Sequence, residues 1–196
     1  MGSEILTYLR LGLHHIADLR GADHILFIAA LTISYPVAEW RRLLWLVTAF
    51  TVGHSVTLAL ATLDLVRVNA ALVEAGIALT IVATSLMAFA LAWRDGAATA
   101  RAQPFRYTLA ALFGLIHGLG FSSFLRSLLG GEESIVLPLF SFNVGLELGQ
   151  LLIVAAVLLT GALAVRGLRL AQRTWVLAVS GGIALAGLVL LVERVR

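Results

Sequence analysis

His15, Asp23, His24, His54, Glu74, His117 and Glu147 are the residues of this chain best able to do chemistry. Three of the five histidines and two of the four aspartates fall within residues 12–27, at the mouth of the first long apolar run. Ionisable groups inside a membrane segment are expensive to keep, so they call for a reason. Imidazole and carboxylate together bind divalent transition metals. Imidazole suits Ni, Co, Zn, Cu and Fe, whereas carboxylate alone favours Mg, Ca or Mn. The set therefore predicts a site for a divalent transition metal, one of Ni, Co, Zn, Cu or Fe. Asn143, Glu147 and Gln150 stand at i, i+4 and i+7 and share one helical face. Ser55 and Thr57 cluster with Thr51 around His54. Ser55, Thr57, Asn143 and Gln150 are expected behind the ligands, fixing an imidazole tautomer or touching an ion in transit. No purely catalytic residue and no organic cofactor is predicted.

The elements that carry these residues follow from composition. The chain has 196 residues, is 60% hydrophobic and 13% charged, and has a mean hydropathy of +0.98. A soluble domain is about 45–50% apolar and roughly 25% charged. The reading is an all-α, multi-pass helix bundle forming a single membrane domain over residues 1–196. There is no cysteine, so thiolate ligands and disulfides are excluded. All 14 basic residues are arginine, and they lie in loops and at helix ends. That placement indicates membrane topology and the lipid bilayer as partner, with no nucleic-acid role. Met1-Gly2-Ser3-Glu4 is not a positively charged n-region, so no cleaved signal peptide is expected.

Residues 4–19 carry an apolar stripe of Ile5, Leu9, Leu13 and Ile16 but are too interrupted to span, and are expected to form an interfacial or partly inserted helix. A break follows at Arg20-Gly21. Six spans are expected, at residues 22–38, 41–63, 70–93, 105–126, 135–163 and 174–192. Loops after the first, third and fifth hold Arg41, Arg42, Arg94, Arg101, Arg106, Arg166, Arg169 and Arg173, and are assigned to the cytoplasm. The opposite loops hold Arg67 and Arg126 with Asp64, Glu132 and Glu133, the last two expected in a solvated loop. Both chain ends then face outward.

On that topology six of these residues, Asp23, His24, His54, Glu74, His117 and Glu147, fall in the outer half of the bilayer. His54 and His117 lie about nine residues from the outer end of their spans, or roughly 13 Å down at 1.5 Å per residue. Asp23, His24 and Glu74 sit near outer mouths, and Glu147 about a third of the way into its span. Independent polar accidents on five helices would have no reason to coincide in depth. Ordinary structural roles compete with this reading. His14 reads as an interfacial residue, Asp23 and His24 could close a helix N-terminus, and His54 and His117 could serve as interhelical glue. Glu74 could be a snorkelling boundary residue. Gly114-x-x-x-Gly118 and Gly145-x-x-x-Gly149 read as close-approach surfaces without chemistry of their own. A faint repeat couples Phe50-x-x-x-His54 with Glu74-x-Gly76, and Phe113-x-x-x-His117 with Glu147-x-Gly149; it would be a parallel repeat.

These blocks carry a family resemblance. His15-Ile16 followed by Gly21-Ala22-Asp23-His24-Ile25-Leu26-Phe27 resembles the signature of the HupE/UreJ family, the hydrogenase- and urease-accessory membrane proteins. Phe50-Thr51-x-x-His54-Ser55-x-Thr57-Leu58, Val73-Glu74-x-x-Ile77-Ala78 and Phe113-Gly114-Leu115-x-His117-Gly118-x-Gly120-Phe121 continue it. Phe142-Asn143-x-Gly145-x-Glu147-x-Gly149-Gln150-Leu151 completes it. The resemblance implies a bacterial inner-membrane protein that serves nickel delivery, a nickel or cobalt permease. It carries His15, Asp23, His24, His54, Glu74, His117, Asn143, Glu147 and Gln150.

Two functions remain open at this stage. A permease or facilitator would take the metal ion as substrate, capture it at His15, Asp23 and His24, and hold it deeper at His54 and His117. Glu74 and Glu147 would supply compensating charge. No G-x-x-x-x-G-K-[ST] motif is present, so ATP hydrolysis by this chain is not expected. The alternative is an intramembrane zinc hydrolase using the same cluster, with Ser55, Ser122 and Ser123 as nearby polar groups. A homo-oligomer is compatible with either.

Overall fold

The computed structural model describes every residue except Met1, Arg20, 96–102 and 130–133. Arg20, Arg101, Glu132 and Glu133, assigned above to a break or to loops, lie outside the described residues. The fold is all-helical as expected, 87% helix with no strand among the described residues. The helices are α1 (Gly2–Ala17), α2 (Asp23–Thr32), α3 (Trp40–Thr62), α4 (Ala70–Asp95), α5 (Gln103–Gly120), α6 (Ser122–Leu129), α7 (Val136–Ala162) and α8 (Gln172–Val195).

Four helical stretches are long and apolar enough to cross a bilayer: Val37–Thr62, Ala70–Arg94, Val136–Gly167 and Gln172–Val195. A fifth exists if Phe105–Gly120 and Ser122–Leu129, which meet at 54°, count as one broken span. The segment expected as the first span behaves differently. Helix α2 has only ten residues, about 15 Å of rise against a hydrocarbon core of roughly 30 Å. Pro36 disfavours helical backbone at Tyr35, and a short 3₁₀ turn, Val37–Glu39, leads straight into α3. Ile33, Ser34 and Tyr35 are nonetheless buried in protein. Irregular backbone at membrane depth is tolerated under that condition. The Arg106 guanidinium, itself buried, stacks 5.1 Å from the Tyr35 ring centroid and closes this end of the bundle.

Three helix pairings build the bundle: α3 on α5, α4 on α8 and α1 on α7. Helices α4 and α8 run antiparallel, because Arg194 reaches the Glu74 carbonyl at one end and Arg173 the Trp93 carbonyl at the other. The other two pairs run parallel and touch backbone to backbone. A Cβ on Gly53 would land on the Ala111 carbonyl, one on Gly114 on the Phe50 carbonyl, and one on Gly118 on the His54 carbonyl. In α1 and α7, Gly12 lies against the Phe142 carbonyl, Gly145 against the Leu9 carbonyl, and Gly149 against the Ile16 side chain and the Leu13 carbonyl. Lipid is as apolar as leucine, so helices in it associate by close packing of small residues.

The two parallel pairs cross through the same pattern. Gly12 corresponds to Gly53, Gly145 to Gly114 and Gly149 to Gly118. The structural repeat thus relates α1–α7 to α3–α5, whereas the sequence repeat relates spans two and three to spans four and five. The buried stripe of α1 also differs from the apolar one. Tyr8, Gly12 and Ile16 are buried, while Ile5 is 39% exposed. An apolar face can meet lipid, so hydrophobic periodicity does not reveal which side of a membrane helix faces protein.

Replacing Gly114 by Leu should break the α3–α5 crossing. The expected loss is at least the ~1–3 kcal/mol typical of overpacking, read as a lowered thermal midpoint in detergent. Leu at Gly167, where a Cβ meets nothing within 4 Å, should leave the midpoint unchanged.

Candidate metal centre

The glycine crossings position the histidines. His15 comes one turn after Gly12, His54 directly after Gly53, and His117 directly before Gly118. His24 is the second residue of α2. The ring centroids lie 4.6 Å apart for His15–His24, 5.9 Å for His15–His54, 5.9 Å for His24–His54 and 5.0 Å for His24–His117. His15, His24 and His54 each offer a ligand nitrogen, and these atoms all lie within 4.8 Å of one another. A tetrahedral ion with metal–nitrogen bonds of 2.0–2.1 Å sets its ligand nitrogens about 3.3 Å apart. Small side-chain rotations would therefore bring the three onto one ion.

The walls are aromatic. Phe121 stacks 3.9 Å from His15, Phe27 lies 4.8 Å from His117, and Phe50 lies 5.2 Å from His117 and 6.0 Å from His54. Inside this lining the imidazoles are short of partners. Both ring nitrogens of His54, Nε2 of His15, Nε2 of His24 and Nδ1 of His117 are buried without a hydrogen bond among the described residues. An unmade hydrogen bond at a buried polar atom costs ~1–3 kcal/mol. Several such atoms converging on one point form a donor set for a borderline metal ion.

His117 is held differently from the other three. Its Nε2 lies 2.9 Å from Thr80 Oγ1, and that hydroxyl donates to the Ile77 carbonyl at 2.7 Å. With its one proton committed there, Thr80 accepts from Nε2–H, and Nδ1 carries the lone pair. His117 thus borders the three-histidine group as a fourth imidazole of fixed tautomer.

The carboxylates occupy the margin. Asp23 accepts from Arg194, with Oδ2 2.6 Å from Nη2, and its Oδ1 is buried without a partner among the described residues. Glu74 is exposed, and its main-chain carbonyl accepts from Arg194 Nη1 at 3.2 Å. A cavity of about 220 Å³ joins these groups, its wall including His15, Asp23, His24, Glu74, His117 and Arg194. Glu147 lies apart on the α3–α7 seam, half-buried, and accepts from Thr48 Oγ1 at 2.6 Å. Beside it, Gln150 accepts from Thr51 at 3.0 Å.

Two of the residues expected behind the ligands bond to the backbone. Ser55 donates to the Thr51 carbonyl at 2.6 Å, and Thr57 to the Leu115 carbonyl at 2.7 Å, across the α3–α5 crossing. Asn143 keeps its Oδ1 buried without a partner among the described residues. Thr80, Phe121 and Arg194 are parts of the site that sequence reasoning did not find. Thr80 is one of two threonines in an apolar helix, and Arg194 resembles an ordinary boundary arginine.

Outside the spans, Asp64 takes a left-handed backbone conformation (φ 62°) and pairs with both Arg67 and Arg126. The pairing ties the loop after α3 to α6. The hydrogen bond from Arg67 is the main reason that the Asp64 carboxyl titrates below its usual value, with the nearby arginine charges adding to it. A depressed carboxyl stabilises above its unfolded-state value and loses that contribution as pH falls through its folded one. This tie should therefore hold at neutral pH and loosen only in acid.

A family model described as HupE / UreJ protein matches residues 1–194. No curated protein and no solved structure matches the chain.

The site predicts one Co²⁺ per chain when purified protein is titrated in detergent. His15→Ala, His24→Ala and His54→Ala should each weaken binding by at least about a hundredfold, while His117→Ala should cost about tenfold, as loss of a bracing group does. Equal losses at all four would make His117 a full ligand.

Proposed function

This chain belongs to the HupE/UreJ family, and from that premise we propose that it is a permease or facilitator for a divalent transition metal. Nickel is the first choice, with cobalt or zinc next and copper or iron behind them. The observation that carries the reading is the convergence of His15, His24 and His54, from three helices, with unpartnered nitrogens inside an aromatic enclosure. A family with a metal-related accessory or transport role, together with membrane-crossing helices, favours cargo over a resident cofactor.

The proposed topology keeps six crossings in one membrane domain, counting α2 with the buried turn after it as one and α5–α6 as another. The arginine-rich loops face the cytoplasm of a bacterial inner membrane. The ion sheds water in the cavity bounded by Asp23, Glu74 and Arg194, then binds the three imidazoles with His117 as a neighbouring site. Glu147, a carboxylate in the middle of α7 with a threonine partner, is assigned to the way onward, where its charge lowers the barrier for a dication. Neutral imidazoles suit a transient stop, because they hold the ion without fully neutralising it. An inside-negative potential drives entry by ~2.3 kcal/mol per charge per 100 mV, about twice that for a divalent ion.

The hydrolase alternative needs a general base and an activated nucleophile beside the metal. Asp23 is engaged by Arg194, and Ser55 and Ser122 donate to the Thr51 and Leu119 carbonyls. These engagements favour the permease.

Proteoliposomes holding the purified protein should accumulate Ni²⁺ or Co²⁺, faster when a potassium-diffusion potential makes the interior negative. His24→Ala and His54→Ala should insert normally and abolish uptake. Metal that stays tightly bound through purification, with no flux, would favour the hydrolase.

A further inference from the structure

Two charged groups on the cavity wall beside the histidines, Asp23 and Arg194, are already paired with each other. Asp23 precedes His24 in the chain, and its carboxylate would be the natural fourth ligand. Its Oδ2 is instead taken by Arg194 Nη2 at 2.6 Å, leaving Oδ1 buried and without a partner among the described residues. Arg194 comes from the last turn of α8. It is anchored a second time, through Nη1, on the Glu74 carbonyl at 3.2 Å. Side-chain exposure is 20% for Arg194 and 14% for Asp23, so the pair is largely withdrawn from solvent. Both line the cavity that reaches His15, His24 and His117, and Glu74 lines it too.

This geometry has an electrostatic consequence. A dication entering the three imidazoles meets a guanidinium held close by, and the carboxylate next to His24 in the chain is occupied. Removing one partner of a buried ion pair is costly because the other charge is left bare. An exchange of partners avoids that cost. If the cation takes Asp23, the guanidinium can turn to the Glu74 carboxylate on the same cavity wall.

Building on the permease reading, we propose that Arg194 is a latch on the metal site, holding Asp23 away from the three imidazoles while the site is free of ions and yielding it to an arriving dication as a fourth ligand. The return of Arg194 to Asp23 strips the ion of that ligand and promotes its release. Arg194 is therefore a positioning residue that sets affinity through Asp23 and does not touch the ion.

The test compares Co²⁺ binding by titration calorimetry, and Co²⁺ uptake into proteoliposomes, for the wild type, Arg194→Gln, Asp23→Asn and the double variant. Arg194→Gln is expected to bind Co²⁺ about tenfold more tightly, within the range that groups bracing ligands exert, and to take it up more slowly because release is impaired. Asp23→Asn should bind more weakly than the wild type. The double variant should match Asp23→Asn, since the gain depends on the freed carboxylate. Unchanged or weaker binding by Arg194→Gln, against a wild type that binds, overturns the latch and leaves the permease reading standing. A gain that persists without Asp23 overturns it as well. A wild type that neither binds nor transports Co²⁺, Ni²⁺ or Zn²⁺ overturns both. Should Arg194→Gln fail to fold, Arg194→Lys keeps the charge but cannot hold Asp23 and the Glu74 carbonyl together. A smaller gain is expected there, and no gain overturns the proposal.

Discussion

Contact between helix backbones is the constraint on which this structure depends. In hydrocarbon no apolar face gains by leaving its surroundings, so helices hold one another where small residues let main chains meet. Gly12, Gly145 and Gly149 do this for α1 on α7, and Gly53, Gly114 and Gly118 for α3 on α5. These glycines are adjacent to, or one turn from, His15, His54 and His117. Packing and site geometry are therefore one problem. A crossing that shifted by a turn would carry an imidazole out of the group with it.

Charge is distributed around this framework by depth. The interior of the site is neutral and aromatic, with imidazole nitrogens as its polar atoms and Phe27, Phe50 and Phe121 close by. Asp23, Glu74 and Arg194 lie on the wall of the adjoining cavity. Farther out, Asp64 with Arg67 and Arg126 ties loop to helix. The arrangement suits an ion that loses its water by stages. On the proposed permease reading, oxygen donors and countercharge come first, and softer nitrogen donors follow in a medium of low dielectric. It also lets the empty protein avoid burying an isolated charge, because each carboxylate of the inner set has a hydrogen-bond donor or solvent.

The broken elements have the same logic. Helix α2 is too short to cross alone, and α5 gives way to α6 at 54°. Both breaks border the site: the start of α2 supplies His24, and Phe121 at the second bend lies over His15. Where a helix stops inside protein, side chains from its end can enter a cavity, which an unbroken span would keep on its flank.

Much of this was legible in the sequence. Composition placed the chain in a membrane as an all-helical protein, and the ordered blocks around Asp23-His24, His54, Glu74, His117 and Glu147 carried the family. The donor types pointed to a metal site, and three of the histidines do form a group that could hold an ion. The Gly-x-x-x-Gly pairs marked the contact surfaces, although the apolar stripe of α1 matched its buried face only in part. What the sequence could not convey is which donors meet. His15, His24 and His54 converge while Glu147 stands apart, and Asp23 is claimed by an arginine 171 positions away. Helical periodicity records which residues share a face of one helix. The rotation and crossing of one helix against another depend on contacts between distant segments, and those exist only once the chain has packed.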